Sequence, residues 1–313
     1  MRKFAVAVAI LVLGGGLAGA AEFVTILTGG TSGIYYPLGV ALSKIYGEGI
    51  AGSKTQVQST KASVENLNLL QQGRGEVAFT LGDTLSLAWA GSEEAGFKGK
   101  LDKLRGLSAL YPNYIQIVAS EDSAIRSLAD LKGKRISVGA PKSGTELNAR
   151  AVLGAAGMSY QDLGKVEYLP FGESVELIKN RQLDATLQSV GLGAASIRDL
   201  AASVPIVIVA IPEEVVAKIG DPAYIARTIP AGTYEGQDED VPTAAVINYL
   251  VTHADIGEET AYLMTKLLHE NKDQLVAAHA AAKGIDPSKA TEGMPVPLHP
   301  GAERYYKETG LIK

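Results

Sequence analysis

The stretch TGGTSGIYYPLG, Thr28 to Gly39, brings glycines, the hydroxyls of Thr31 and Ser32, and the pair Tyr35-Tyr36 together just ahead of a proline. The apolar run FVTIL before it reads as a buried strand. After it, Leu38, Ala41, Leu42 and Ile45 fall at helical spacing, with Pro37 suited to the first helical turn. A strand–loop–helix of this kind exposes unpaired N–H groups and a partial positive charge at the helix start, where glycines let a ligand approach the backbone. Its chemistry is the binding of a carboxylate or phosphate. A tyrosine beside such a loop can stack on the ligand and donate a hydrogen bond. The same hydroxyls also suit plain helix capping.

The unit occurs twice. RISVG, APKSGT and ELNARAVLGAAG repeat the strand, loop and helix, and Ser32-Gly33 lies 111 residues before Ser143-Gly144. The tripeptide SVE at Ser63 recurs at Ser174 with the same offset, each time opening a helical stretch followed by a strand, EVAFTL or DATLQS. Two such helix starts, with Ser143 and Thr145 joining Thr31 and Ser32, would hold a small anion between two similar α/β lobes. Asn66 sits one turn into the first SVE helix. Asp83 follows the strand EVAFTLG, where strand carboxyl ends face a ligand crevice, so it suits either a ligand cation or the cap of the helix TLSLAW.

Other chemistries fail on spacing. GGTSG is not G-x-G-x-x-G, and Thr145 stands where a phosphate-loop lysine would be. No nucleophile elbow is present, His253, His269, His279 and His299 include no H-E-x-x-H pair, and Asp238 to Asp240 lack the spacing of a calcium loop. With no cysteine, thiol catalysis and thiolate-bound metals drop out, so no catalytic residue, metal or cofactor is expected. The balance of 29 basic to 34 acidic residues, without a basic stripe, argues against nucleic acid or anionic membrane as a partner.

The elements that must position these loops follow a leader. Arg2-Lys3, the apolar FAVAVAILVL and small residues at Ala18 and Ala20 make residues 1–20 a secretory signal peptide, cleaved after Ala20, with a periplasmic product. Its apolar run is short of the roughly 20 residues a spanning helix needs. LSALYPNYIQIVAS and VPTAAVINYLVT are strand-like and suited to cross between lobes. That gives a discontinuous lobe I, residues 21–117 and 243–313, and a lobe II of 118–242, with the ligand cleft between them. Asp255-Ile256-Gly257-Glu258 has the spacing of a capping box for the helix after the second crossing.

TGGTSGIYYPLG, VPTAAVINYLVT and PLHPGAERYYKETGL, supported by LKGKRISVGAPKSGTELNAR, resemble the solute-binding proteins of TRAP transporters, in the TAXI branch, from Phe23 to the end. The resemblance implies a type II-like, two-lobed periplasmic binding protein without enzymatic activity. It would capture a small organic anion or amino acid, in this family glutamate, glutamine or 2-oxoglutarate, and deliver it to a TRAP membrane permease, often of fused subunits. It implies ligand contacts at Thr31, Ser32, Gly33, Tyr35, Ser63, Asn66, Ser143, Gly144 and Thr145. Two departures touch selectivity: Leu81 replaces a glutamine common two residues before Asp83, and SVGLGAAS lacks a common proline. Asp83, if it faces the cleft, would welcome an ammonium and so favour glutamate or glutamine over 2-oxoglutarate. The processed chain is expected to be a monomer without membrane insertion. The alternative is a periplasmic sensing module that presents the same ligand to a receptor kinase.

Overall fold

The computed structural model describes residues 23–313, and the expected leader lies outside the described residues. The first half alternates strand and helix: β1 (Phe23–Leu27), α1 (Tyr35–Gly49), β2 (Lys54–Gln58), α2 (Ser63–Gln71), β3 (Val77–Leu81) and α3 (Gly82–Ala90). A 17-residue strand, β4 (Leu104–Ser120), leads into a second alternation. This comprises β5 (Arg135–Ser137), α4 (Gly144–Ala155), β6 (Lys165–Glu167), α5 (Phe171–Lys179), β7 (Ala185–Val190) and α6 (Ala195–Ser203). β8 (Ile206–Val209), α7 (Glu213–Ile219) and β9 (Ile225–Ile229) follow, then the long β10 (Val241–His253) and the helices α8 (Glu258–Glu270), α9 (Lys272–Ala278) and α10 (Pro300–Glu308).

The molecule is two-lobed, and both lobes use one plan. Parallel strands in the order β2-β1-β3 meet an antiparallel crossing strand, β10; parallel β6-β5-β7 meet an antiparallel crossing strand, β4. β8 adds to β4 and β9 to β10. The crossing strands pair with each other from Leu104↔His253 to Tyr114↔Ala245, with register shifts on either side of Tyr249 and Leu250. Pro112, opposite Ile247, cannot donate to the ladder, and such breaks let strands bend. The expected lobe limits at 117/118 and 242/243 fall inside these two strands.

Local sequence explains the elements. α1 buries Leu38, Leu42, Ile45 and Tyr46, one stripe at helical spacing, against the sheet. β3, VAFTL, is buried on both faces, as a central strand covered by helices requires. One apolar core lies under α2 and α3 around Leu67, Leu70 and Leu85, and another under α4 and α7 around Ile136, Val152 and Val216. A third runs from α1 and α8 across to α5 and α6. Among the described residues no helix is long and apolar enough to cross a membrane.

Two local expectations change. Asp255 does not cap α8: Gly257 holds the N-cap position without a side-chain bond, and Asp255 pairs with Lys103 at 2.7 Å. The neighbouring Ala254 N–H donates to the Lys103 carbonyl, so the turn is tied to the start of β4 rather than to its own helix. The second SVE does not open its helix either, because α5 begins at Phe171, one turn before Ser174. His299 caps α10 and His269 stacks on Tyr305, structural roles for both.

Candidate functional site

Between the lobes lies a cavity of about 410 Å³. Four helices start on its wall: α1 at Tyr35, α2 at Ser63, α4 at Gly144 and α5 at Phe171. Two come from each side of the crossing strands. Their N-terminal dipoles therefore act on one volume. The N-cap residues Ile34, Ala62 and Pro170 offer no side-chain oxygen to α1, α2 and α5, so a solute's oxygens can accept from first-turn N–H groups. The exceptions are Pro37, which has none, and Glu65, whose N–H is taken by the Lys142 carbonyl. Ser143 caps α4, accepting from the Glu146 N–H at 3.2 Å, and keeps its own hydroxyl proton to donate.

The lobes are closed on each other here. The Glu65 N–H donates to the Lys142 carbonyl at 3.2 Å, and Arg150 reaches the Glu94 carbonyl at the same distance. Gly144 needs its missing side chain, since a Cβ would stand 2.7 Å from Leu81 and 2.8 Å from the hydroxyls of Ser63 and Thr84. At the opposite rim Gly33 faces Phe171, where a Cβ would have 3.8 Å of room.

The residues marked out in the sequence divide into wall and scaffold. Thr31, Ser32, Gly33, Tyr35, Ser63, Ser143, Gly144 and Thr145 line the cavity. Tyr35 stacks on Phe79 with ring centroids 5.0 Å apart and donates its hydroxyl to Asn248, while burial pushes its phenol far above the ordinary value. Asn248 in turn donates to Asn113 on the cavity floor at 2.8 Å.

Asn66 and Asp83 do not line the cavity. Asn66 is fully buried and splices the loop to the helix: its amide donates to the Thr28 carbonyl at 2.7 Å and the Phe79 carbonyl at 2.9 Å, and its oxygen accepts from Thr60. It positions Thr60, which is on the wall. Asp83 is taken up elsewhere: Asn148 of α4 and Tyr224, ahead of β9, donate to one of its carboxylate oxygens at 2.6 and 2.7 Å. Burial raises its pKa to about 6 against the hydrogen bonds that lower it. No carboxylate from Asp83 is thus offered to an ammonium in the cavity.

Sequence reasoning missed Pro170 to Glu173, Asn113 and Ser189, all on the wall. A signal for the first group was present. Ser59 to Ala62 also line the cavity, and each stands 111 residues before one of Pro170 to Glu173, the offset already shared by Ser32 and Ser143. The charged side chains of the wall are Lys61 and Glu173, both exposed at its rim. The interior is neutral: hydroxyls, amides, backbone N–H groups and the rings of Tyr35 and Phe171. Among the described residues no cluster of potential metal ligands occurs.

The family model described as the NMT1-like family matches residues 26–310, and the chain belongs to that family. Among solved structures, a Bordetella bronchiseptica RB50 protein superposes with a TM-score of 0.59 at 15% identity, covering 92% of this chain and 98% of the other. PhnD1 from Prochlorococcus marinus (MIT 9301), in complex with methylphosphonate, gives 0.57 at 11% identity over 93% and 100%. The alkanesulfonate-binding protein SsuA from Xanthomonas axonopodis pv. citri, bound to MOPS, gives 0.51 at 17% identity over 93% and 85%. At these identities the likeness is one of fold.

Proposed function

We propose that this NMT1-like chain is a periplasmic solute-binding protein that encloses a small organic anion between lobe I (21–117 and 243–313) and lobe II (118–242) and delivers it to a membrane transporter. One observation carries this: the first residues of four helices, two from each lobe, line a single cavity. Each helix start contributes roughly half a positive charge, so the closed form alone collects the full attraction for an anion. The solute is bound without turnover.

The neutral interior limits the charge of that anion. With no lysine or arginine in the wall beyond exposed Lys61, a carboxylate is held more readily than a doubly charged phosphonate. From the TAXI resemblance we assign a small carboxylate of the glutamate, glutamine or 2-oxoglutarate kind, with Thr31, Ser32, Gly33, Tyr35, Ser63, Ser143, Gly144 and Thr145 as its contacts. Within that class the neutral interior favours glutamine and glutamate over the dianion 2-oxoglutarate. The resemblance to TAXI proteins adds a TRAP permease as the recipient. A second solute class, sulfonate or phosphonate passed to an ABC transporter, is favoured by the ligands of SsuA and PhnD1.

Mass spectrometry of small molecules released on denaturing protein purified without added solute tests the assignment. A thermal-shift panel of glutamate, glutamine, 2-oxoglutarate, MOPS and methylphosphonate completes it. Carboxylates alone are expected to stabilise the protein. Stabilisation by MOPS or methylphosphonate alone selects the second class, and no stabilisation together with no released solute overturns solute binding.

A further inference from the structure

Asn148 and Ser189 belong to a buried polar chain that runs out of the cavity and ends on the other lobe. Ser189, on the wall, donates its hydroxyl to the Asn148 oxygen at 2.6 Å, and its carbonyl accepts from Asn113 at 3.0 Å. The Asn148 amide then reaches Asp83 on α3, where the Tyr224 hydroxyl also donates. Asn148 is fully buried and Asp83 is 1% exposed. Both donors to Asp83 come from the far side of the crossing strands: Asn148 from α4, Tyr224 from just ahead of β9.

A buried carboxylate is costly, and no ion pair reaches this one among the described residues. The titratable groups acting on it are Asp221 and Tyr224, with Tyr35 beyond. A helix-capping role would need only the bonds from Thr84 in its own helix, which persist when the lobes part. Asn148 and Tyr224 are supplied only when the lobes meet.

We propose that Asp83 is an interlobe latch: a lobe I carboxylate onto which Asn148 and Tyr224 of lobe II close, linking the wall residue Ser189 to the open–closed equilibrium. This rests on the solute-binding function proposed above. Opening returns the carboxylate to water, where its affinity for protons falls back to the ordinary carboxylate range. Closing buries it and raises its pKa to about 6. The closed form therefore binds more protons, and its advantage is complete below the ordinary range and lost as pH rises through about 6. At neutral pH the latch carries the full desolvation cost and releases easily. Acidification tightens it.

The test needs no solute. The chain has no cysteine, so Lys44→Cys on α1 and Glu176→Cys on α5, both exposed, give one spin-label site per lobe. Interlobe distances in protein freed of small molecules by unfolding and refolding should show the closed-to-open ratio rising about tenfold between pH 7.5 and pH 5. Asp83→Asn should abolish that pH dependence. Tyr224→Phe, which keeps the ring in place, should lower the ratio about tenfold at pH 7.5 and by less at pH 5, because the lost donor favours the ionised carboxylate. The latch is overturned if the pH response persists in Asp83→Asn, or if Tyr224→Phe closes like the wild type. Failure of solute binding would appear elsewhere, as purified wild type that yields no small molecule on denaturation.

Discussion

The two halves of the wall sit 111 residues apart in sequence and opposite each other in space, yet they do different work. Gly33 and Gly144 are equivalent by that offset, but only Gly144 is pressed by side chains of the other lobe. Ser32 and Ser143 are equivalent too, but only Ser143 caps its helix. Thr60 corresponds to Phe171: a loop hydroxyl on one side and, as α5 starts a turn earlier than α2, an aromatic ring at a helix start on the other. A repeated scaffold fixes where the solute is held. The departures from repetition decide which loop is pressed by the other lobe, which serine caps its helix and where the wall carries a ring.

Breaking the glycine pair should have the largest effect. Gly144→Ala puts a methyl into contacts of 2.7–2.8 Å and props the cleft open. Overpacking of this kind costs about 1–3 kcal/mol, so calorimetry should find affinity reduced by up to about a hundredfold. Gly33→Ala meets nothing nearer than 3.5 Å and should bind within about twofold of wild type. Equal losses in both would mean that closure does not depend on the Gly144 contact.

The serine pair should sharpen the contrast. Ser32→Ala is expected to cost about tenfold in affinity with the unfolding midpoint unchanged. Ser143→Ala should lose a similar factor and also about 1 kcal/mol of stability, since its helix loses a cap. Denaturant melts that cannot tell the two variants apart would remove the capping distinction.

The smallest effect belongs to backbone strain. Ala62, at the start of α2, has φ 71° and ψ −144°, and Lys142, ahead of α4, has φ 62°, conformations that suit glycine. Ala62→Gly should raise unfolding free energy by about 1 kcal/mol, and Lys142→Gly by less, because its left-handed geometry is more accessible to a side chain. A destabilised Ala62→Gly protein would show that this backbone is not under strain.

Much of this was legible in the residues. Apolar periodicity marked β1, α1 and the two crossing strands, and glycine with hydroxyls marked the loops ahead of α1 and α4. Phe171 escaped because the second SVE drew the helix start to Ser174, whereas Pro170 sets it three residues earlier. Asp83 was visible as a carboxylate at a strand end but not as a latch. Its partners lie 65 and 141 residues away, and neither residue type nor spacing says which lobe a side chain enters. Ser189 and Asn113 were hidden for the same reason, sitting in strands whose apolar neighbours mask single polar positions.

The crossing strands also set an order of events as the chain is made. β3 needs β10 beside it, and the pair Leu81↔Asn248 joins residues 167 apart in sequence. Until β10 emerges, one edge of β3 has its N–H and C=O groups unpaired, while β5, β6, β7 and the second half of β4 already have their strand partners and only β9 of the second lobe waits for β10. Such long-range pairing is slow to form and open to wrong partners in the meantime. Nascent chains ending before Val241 should therefore hold a structured second lobe and an adhesive, incomplete first one.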